Sequence, residues 1–362
     1  MTRPPTTQSD LGGSGYPGGP PPRRERGRWA SRIPLRGTKV PVAGVDTPAL
    51  GDEHGLAGEA KGQFRIVAGR YVHNRRAMGS LIVFLLLFLT SVLVGWFWKY
   101  GYAEITKSYA RATFHIGPNG TLIAGKSLGA PSWDHPFGVD PIGHDVLAQV
   151  MQGTKTEIFT AVVVAVIATL IGTTIGALAG YYGGWAESLL MRFTDVILVV
   201  PLLVILIVLA NRFTKTASGW LPIALVIALL AWTYLARLVR ADFLSLRERD
   251  FVEAARGLGA PNRRIIVRHM LPNAIGPIIV NATLTVANAI ILESTLSFLG
   301  LGIQPPDVSL GQLVAAGEGA ATTQWWLFAF PAGFIVALVL CVNFIGDGLR
   351  EAFDPHAKQE RR

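Results

Sequence analysis

The sequence predicts an all-α membrane protein with six transmembrane helices. Half of the 362 residues are hydrophobic and 16% are charged, whereas a soluble protein carries about 25% charged residues. Six separate segments stay apolar over roughly the 20 residues that a helix needs to cross a bilayer. The net charge of +9 arises from short basic clusters beside these segments, which mark membrane orientation more often than nucleic-acid binding. We therefore expect the lipid bilayer, and no nucleic acid, as a partner.

Residues 1–62 differ in composition from the rest of the chain. They contain 9 Pro and 12 Gly and show no sustained apolar period. Such a segment cannot bury enough surface to offset the entropy that is lost on ordering, so we predict a disordered tail. We interpret its basic run PPRRERGR at 21–28 as part of a solvated tail, with contact to anionic lipid as the alternative.

The apolar segments divide the remainder of the chain. Residues 63–98 lead into and include the first span, 99–157 form a long loop, 158–346 hold the other five spans, and 347–362 form a C-terminal tail. Pro201 predicts a kink in the third span. The predicted spans are 79–98, 158–181, 193–210, 220–236, 275–298 and 325–346.

The second span carries a stripe of small residues. Ala168, Gly172, Gly176 and Gly180 recur at every fourth position and share one helix face. Small residues at this spacing allow two helix backbones to approach closely in a membrane. We interpret the stripe as a packing surface, with a pore-lining role as the alternative.

Basic residues in the connections predict the orientation. The segment 237–274 carries eight Arg against four acidic residues, and 61–76 carries five Lys or Arg, whereas 299–324 carries none. Because Lys and Arg accumulate in cytoplasmic connections, both termini are predicted to lie in the cytoplasm. The loop 99–157 is then extracytoplasmic.

The long cytoplasmic connection predicts two short helices over 251–273. Phe251, Ala254, Ala255 and Leu258 follow helical spacing, and Gly259 can end that helix in a left-handed cap. Pro261 can start the second helix. The segment Leu271-Pro272-Asn273 is expected to turn the chain into the fifth span. A helix that lies on the membrane surface is the alternative interpretation.

The same connection carries a family resemblance. Glu253-Ala254-Ala255, Gly259 and the later run HMLP at 269–272 resemble the EAA loop of binding-protein-dependent ABC importer permeases. The resemblance narrows to the C-type subunit of the oligopeptide/dipeptide/nickel group. The stretches that carry it are HPFGVDPIGHDVLAQVMQG (135–153), GYYGGWAESLLMRFTDVILVVP (180–201), ESTLSFLGLGIQPPDVSLG (293–311) and NFIGDGLREAFDP (343–355).

The resemblance implies a type I ABC importer permease fold in a bacterial plasma membrane. It also implies a heterodimer with a second permease subunit, two cytosolic ATPase subunits and an extracytoplasmic solute-binding protein. The cargo would be di- or oligopeptides or related small solutes; the alternatives are nickel or another small solute, or an ATP-independent channel or secondary transporter. This chain would be a transport subunit and not an enzyme, with no cofactor of its own, since ATP and Mg would bind the partner subunits.

The resemblance also assigns a coupling interface and exposes three departures. Val139, His144 and Leu310 stand where the family usually has Thr, Arg and Trp. The residues expected to contact an ATPase are Glu253, Ala254, Ala255, Arg256, Gly257, Leu258 and Gly259.

Polar residues inside the spans are candidates for a solute path. Asn281, Thr285 and Asn288 share one face of the fifth span, where they would either line the path or bond to neighbouring helices. Glu293 is taken as the only acid deep in a span, with capping of an outer loop favoured over sensing a peptide amine. Asp195 is expected to pair with Arg192.

Two further patterns are rejected as sites. GTLIAGKS at 120–127 matches the phosphate-binding pattern G-x-x-x-x-G-K-[ST], but its predicted outward position and the lack of an α/β domain around it indicate an accidental match. His135 and His144 lack the spacing and the cysteine partners typical of a metal site.

Overall fold

The computed structural model describes residues 59–105, 114–116, 122–124, 129–213 and 219–354. Helices account for nearly all of the described elements. The described residues also include two three-residue strands, β1 (Phe114–Ile116) and β2 (Leu122–Ala124), which pair with each other in an antiparallel hairpin. The helices are α1 (Glu59–His73), α2 (Arg75–Phe97), α3 (Val146–Tyr182), α4 (Gly184–Val199), α5 (Leu202–Phe213), α6 (Leu221–Arg247), α7 (Asp250–Gly257), α8 (Asn262–Arg264), α9 (Leu271–Phe298), α10 (Leu310–Glu318) and α11 (Trp326–Phe353).

Length and composition give five helices that could cross a membrane, or six if a bent pair is one span. The five are α2, α3, α6, the continuous helix 262–298 and α11, and the bent pair is α4 with α5. The predicted all-α class with six spans is therefore confirmed.

The third span is broken and not merely kinked. The axes of α4 and α5 differ in direction by 85° across a short break. Val200 has extended backbone angles, which a residue that precedes proline prefers because the proline ring crowds the helical conformation. Pro201 itself has no N–H to continue the helical hydrogen bonds.

Helix α3 begins at Val146 and not at 158, so the last part of the predicted loop is helical. The Asp145 side chain caps this start by accepting a hydrogen bond of 2.9 Å from the Ala148 N–H. The segment 146–157 includes several polar residues, which is why hydropathy places it in a loop. Its packing against α10, where Gly153 meets Leu310, supplies the stabilisation that its composition does not indicate.

The turn predicted at Leu271-Pro272-Asn273 is wrong. The chain instead runs as one helix from Asn262 to Phe298, with a wider π-helical stretch over Ile265–Met270. Pro272 lies in the first turn of α9 and lacks the N–H that an α-helix would bond to Arg268. A π-helical stretch immediately before the proline accommodates that missing bond.

The predicted termini lie partly outside the described residues. Within the predicted tail 1–62, residues 1–58 are not described and 59–62 belong to α1, so the end of that tail is helical. Helix α11 continues to Phe353, which makes the first half of the predicted C-terminal tail helical as well. Residues 355–362 lie outside the described part.

The string GTLIAGKS does not have the surroundings of a phosphate-binding loop. Its residues Leu122–Ala124 form β2 of the small hairpin, and the next helix described after it is α3, at Val146. A phosphate-binding loop instead joins a buried strand directly to the start of a helix. Lys126 and Ser127 lie outside the described residues.

The bundle has two ends that matter for function. At the α7 end, α3, α6 and α11 finish and α7 lies beside them; Tyr181 of α3 contacts Asn262 there. At the α10 end, α3 begins, α9 finishes and the segment 129–145 packs against Trp326. The largest apolar core lies between these ends and is formed by α3, α5, α6, α9, α10 and α11.

Helices α3 and α6 approach each other closely through the small-residue stripe of the second span. A Cβ atom added at Gly176 would lie 2.5 Å from the Ala236 carbonyl oxygen. Added Cβ atoms at Gly172 and Gly180 would lie 2.8 Å and 2.7 Å from the carbonyl oxygens of Trp232 and Arg240. Such distances are below van der Waals contact, so only glycine fits, and the packing interpretation is confirmed.

We expect Gly176→Ala to destabilise the fold by about 1–3 kcal/mol, because the added methyl group pushes two backbones apart. The measurement is the thermal unfolding midpoint of the purified chain in lipid. Gly333→Ala in α11 is the matched control, because a Cβ there meets nothing within 4 Å. Equal midpoints for the two variants would contradict the prediction.

Candidate functional site

Helix α7 lies at the surface of the bundle and is held by one narrow face. Val252 is fully buried and Ala255 is nearly so, within a cluster that includes Phe243 of α6 and Ile265. The pattern of Phe251, Ala254, Ala255 and Leu258 does not mark the buried face, since only Ala255 of that set is buried.

Gly259 ends α7 as the sequence predicts. Its φ of +76° lies in the left-handed region, which costs a residue with a Cβ roughly 1–2 kcal/mol. The Gly259 N–H donates to the Arg256 carbonyl at 2.9 Å, and the Ala260 N–H donates to the Ala255 carbonyl at 3.0 Å. These two bonds form a Schellman motif, which fixes the end of the helix rather than leaving it frayed.

Most of the predicted coupling interface faces outward. Ala255 is its one buried member, and the other six are exposed. Leu258, at the tip, has 89% of its side chain accessible. A large apolar side chain that is this exposed contributes little to the chain's own packing and is available to a partner. The exposed members are Glu253, Ala254, Arg256, Gly257, Leu258 and Gly259.

Sequence reasoning missed a residue that anchors the coupling loop, which is residues 250–264 and consists of α7, α8 and the turn between them. The buried Tyr181, at the end of α3, donates a hydrogen bond of 2.8 Å from its hydroxyl group to Asn262 Oδ1. The Arg256 guanidinium lies 5.4 Å from the centroid of the same ring, within the range of a cation–π contact. Arg247 of α6 donates to the Tyr181 carbonyl at 3.4 Å. Tyr181 thus joins α3, α6 and the coupling loop, and its only sequence signal was an aromatic pair before a double glycine.

A cavity of about 370 Å³ lies between α4, α5, α6 and α9. Asn281, Thr285 and Asn288 all line it, so the structure brings the three predicted path residues together on one wall. The Thr285 hydroxyl donates to the Asn281 carbonyl at 2.9 Å and can therefore only accept from a solute. Tyr234 of α6, which the sequence analysis did not select, also lines the cavity and is 67% exposed.

Two ion pairs connect α4 to α6. Arg237 pairs with Asp195, and Arg240 pairs with Glu187 through two of its nitrogen atoms. The predicted Asp195–Arg192 pair is wrong, because Arg237 of the neighbouring helix is the partner of Asp195.

The segment 129–145 is held at the α10 end by histidine–carboxylate contacts. His135 and Asp145 are both buried, with 2.6 Å between Nδ1 and Oδ2, and the Tyr100 ring stacks on His135. His144 bonds to Asp140 at 2.8 Å. Nearby, the hydrogen bond from Lys99 lowers the pKa of the exposed Asp134 carboxyl.

The three departures from the family pattern occupy defined places. Val139 and Leu310 are both buried, and Leu310 belongs to the largest apolar core. His144 has its own carboxylate partner in Asp140, four positions earlier in the chain.

Glu293 is not the only acid deep in a span. Because α3 begins earlier than predicted, Glu157 also lies within a helix, and both carboxyl groups are buried. Glu293 accepts a hydrogen bond of 2.6 Å from Ser297, whose oxygen accepts the Ile303 N–H at 3.1 Å. These contacts favour loop capping over recognition of a solute amine.

We expect Tyr181→Phe to loosen the coupling loop while leaving α3 in place, because it removes one hydroxyl group and keeps the ring. One lost hydrogen bond is worth about 1 kcal/mol, or roughly a fivefold loss of protection. The measurement is the protection of the backbone amides of residues 250–264 against hydrogen exchange. The control is Tyr182→Phe, which removes a hydroxyl group from the exposed adjacent residue. Equal exchange rates in the two variants would contradict the anchoring role of Tyr181.

Comparison with known proteins places the chain in a family. Residues 172–359, about half of the chain, match the model described as the binding-protein-dependent transport system inner membrane component. Residues 62–118 match the N-terminal TM domain of oligopeptide transport permease C.

Curated relatives and a solved structure can be compared over most of their lengths. The oligopeptide transport system permease protein OppC of Mycobacterium tuberculosis (strain ATCC 25618 / H37Rv) is 40% identical over 82% of this chain and 96% of its own. OppC of Escherichia coli (strain K12) is 38% identical over 79% and 89%. A putative peptide permease of Brucella ovis is 44% identical over 63% and 76%. The inward-facing MetNI methionine ABC transporter is 19% identical, with a TM-score of 0.49 over 57% of this chain and 96% of that chain. The family match and the extended identity lead to one conclusion: this chain belongs to the inner membrane components of binding-protein-dependent transport systems.

Proposed function

We propose that this chain forms half of the solute path of an ATP-driven importer and meets its ATPase through α7. The observation that carries the proposal is the construction of the coupling loop. Its tip is exposed, its end is fixed by a Schellman motif, and its base is bonded to α3 and α6 through Tyr181. A helix that is held rigidly behind and exposed in front is suited to transmit the motion of a partner.

The orientation supports the placement of each partner. The α7 end carries the dense basic residues of 237–274 and would face the cytoplasm, where two ATPase subunits supply ATP and Mg. The α10 end would face outward and receive a solute-binding protein. In this arrangement both termini are cytoplasmic.

A second permease subunit would complete the path. The cavity beside Asn281 and Asn288 is bounded by four helices of this chain, and a pathway across the membrane needs walls on all sides. The exposed Tyr234 and the outer face of α4 would then contact either solute or the second subunit. A heterodimer places the path between the two subunits.

The proposed mechanism is alternating access. ATP binding closes the two ATPases and displaces α7, and its bonded base carries that displacement into α3 and α6. Movement of these helices opens the path outward to accept solute. Hydrolysis and release of the nucleotide return the path to the inward-facing state.

Peptides are the cargo that the site favours. The two relatives named OppC are oligopeptide permeases by name. Asn281 and Asn288 offer both donors and acceptors, which suit the N–H and C=O groups that every peptide carries. A nickel or other small-solute importer subunit remains the alternative within the family, and an ATP-independent channel or secondary transporter is the alternative from another class.

We expect Leu258→Asp to reduce solute-stimulated ATPase activity of the reconstituted complex at least tenfold, because it places a charge at the exposed tip that would be buried against an ATPase. Deletion of 253–259 should abolish the stimulation. Leu258→Met is the control, since it conserves volume and polarity and should behave as the wild type.

Two results would contradict this assignment. One is normal stimulation in the deletion variant. The other is uptake that survives ATP depletion while the membrane potential is maintained, which would favour the channel or secondary transporter.

We expect Asn288→Leu to lower peptide uptake about three- to tenfold, because each lost hydrogen bond to the solute is worth roughly 0.5–1.5 kcal/mol. Asn288 is exposed to the cavity, so basal ATPase activity should be unchanged. Thr295→Val, on the same helix but away from the cavity, is the control. If Asn288→Leu takes up peptide at the wild-type rate, this face of α9 does not line the path.

A further inference from the structure

Two acidic side chains meet inside the bundle near the α10 end. Glu157 of α3 is 0% exposed and Glu293 of α9 is 1% exposed. Their carboxyl groups lie within hydrogen-bonding reach of each other. Neither the proposed path nor the coupling loop uses them.

Serine hydroxyl groups and one backbone N–H bond to the two carboxyl groups. Glu157 Oε1 accepts from the Ser294 hydroxyl at 2.7 Å, and the Leu310 N–H also bonds to this carboxyl group. Glu293 Oε1 accepts from the Ser297 hydroxyl at 2.6 Å, and the buried Ser309 hydroxyl also bonds to this carboxyl group. The other oxygen of each group, Oε2, is buried and has no hydrogen-bond partner among the donors of the described residues.

A second buried polar group lies on the same face of α3. The Thr160 hydroxyl is one helical turn from Glu157, is fully buried, and has no hydrogen-bond partner in the described part of the chain. Thr154 and Thr156 on the same helix, by contrast, donate to carbonyl groups four residues earlier. The Thr160 hydroxyl, which can both donate and accept, adds to the polar character of the interior around Glu157.

Among the described residues, neither Glu157 nor Glu293 interacts with a Lys, Arg or His side chain. The facing parts of α2 (77–97), α6 (221–236) and α11 (326–346) contain no Asp, Glu, Lys, Arg or His. Lys155 is two positions from Glu157 and so points to the far side of α3. The other acidic and basic residues of the surrounding helices and of the 299–309 connection lie outside these stretches; they are Arg75, Arg76, Asp145, Arg212, Arg237, Arg240, Asp242, Arg247, Asp307, Glu318, Asp347, Arg350 and Glu351.

A carboxylate has only acceptors, so two ionised carboxylates cannot hydrogen-bond to each other. Burying two like charges side by side without a cation costs several kcal/mol, and such a pair takes up a proton instead. We propose that Glu157 and Glu293 form an intramembrane proton site, in which a single proton is shared between the two carboxyl groups and holds α3 against α9. The remaining single negative charge is stabilised by Ser294, Ser297, Ser309 and the Leu310 N–H.

The site also holds the start of α10. Ser297 bonds both to Glu293 and to the Ile303 N–H, while the Leu310 N–H bonds to Glu157. Loss of the proton leaves two adjacent carboxylates, whose repulsion separates α3 from α9 and releases the segment 299–310. Stability is therefore complete while the pair is protonated and falls as the pH rises through the loss of the shared proton.

The test is the thermal unfolding midpoint of the full chain in lipid as a function of pH, in choline buffers. We expect the wild-type midpoint to fall by several degrees across the titration. Glu157→Gln should remove this dependence, because its amide N–H supplies the missing donor at every pH. Glu318→Gln, at the end of α10, should keep the wild-type dependence.

Infrared difference spectroscopy provides a second measurement on the wild type. An alkaline titration should remove one protonated-carboxyl C=O band, and Glu293→Gln should lack that band. The proposal is overturned if Glu157→Gln keeps the wild-type pH dependence, or if the wild type shows no such band. It is also overturned if Na⁺, K⁺ or Ca²⁺ at constant pH raises the wild-type midpoint and the band is absent, since a metal ion would then occupy the site. These readouts do not depend on transport, so they are independent of the proposed function.

Discussion

The close contact between α3 and α6 is the constraint on which the rest of the structure depends. A bilayer gives no hydrophobic gain when two helices associate, so packing and hydrogen bonds have to hold them together. Gly172, Gly176 and Gly180 permit that packing, and the stripe ends one residue before Tyr181. The contact therefore sets the position of the tyrosine that bonds the coupling loop. Arg240 of α6 lies along the same contact and pairs with Glu187, so α4 is located by it as well.

The break between α4 and α5 has a physical reason to lie where it does. Backbone that is not helical leaves hydrogen-bonding groups unsatisfied, and hydrocarbon cannot supply partners for them. Leu198 and Leu202, on either side of the break, both line the cavity that holds Asn281 and Asn288. The interrupted backbone thus borders a space that can contain water or solute, which is where such an interruption is tolerated.

Local patterns in the sequence predicted much of the fold. Features that depend on contacts between residues far apart in the chain were not predicted. The apolar runs, the glycine stripe, the left-handed Gly259 and the position of the interruption at Pro201 all follow from local rules, although a kink was predicted where the span is broken. The early start of α3 did not, because residues 146–157 are polar in composition and are stabilised by α10, which lies far away in the chain. That error also hid Glu157 in a predicted loop. The buried face of α7 was not predicted, because Val252 and Ala255 pack against Phe243 and Ile265, and the spacing of apolar residues within one short helix does not reveal its neighbours.

The residues at the coupling loop fall into two groups, one that holds the loop in place and one that is exposed. Val252 and Ala255 are buried and hold the loop, together with Tyr181 of α3, whereas Glu253, Ala254 and Leu258 are exposed. Substitutions in the second group alter what the loop recognises at little cost to folding. The choice of ATPase partner could consequently diverge between paralogous transporters in one cell without loss of the permease scaffold, and it could be reassigned by exchanging a few exposed side chains.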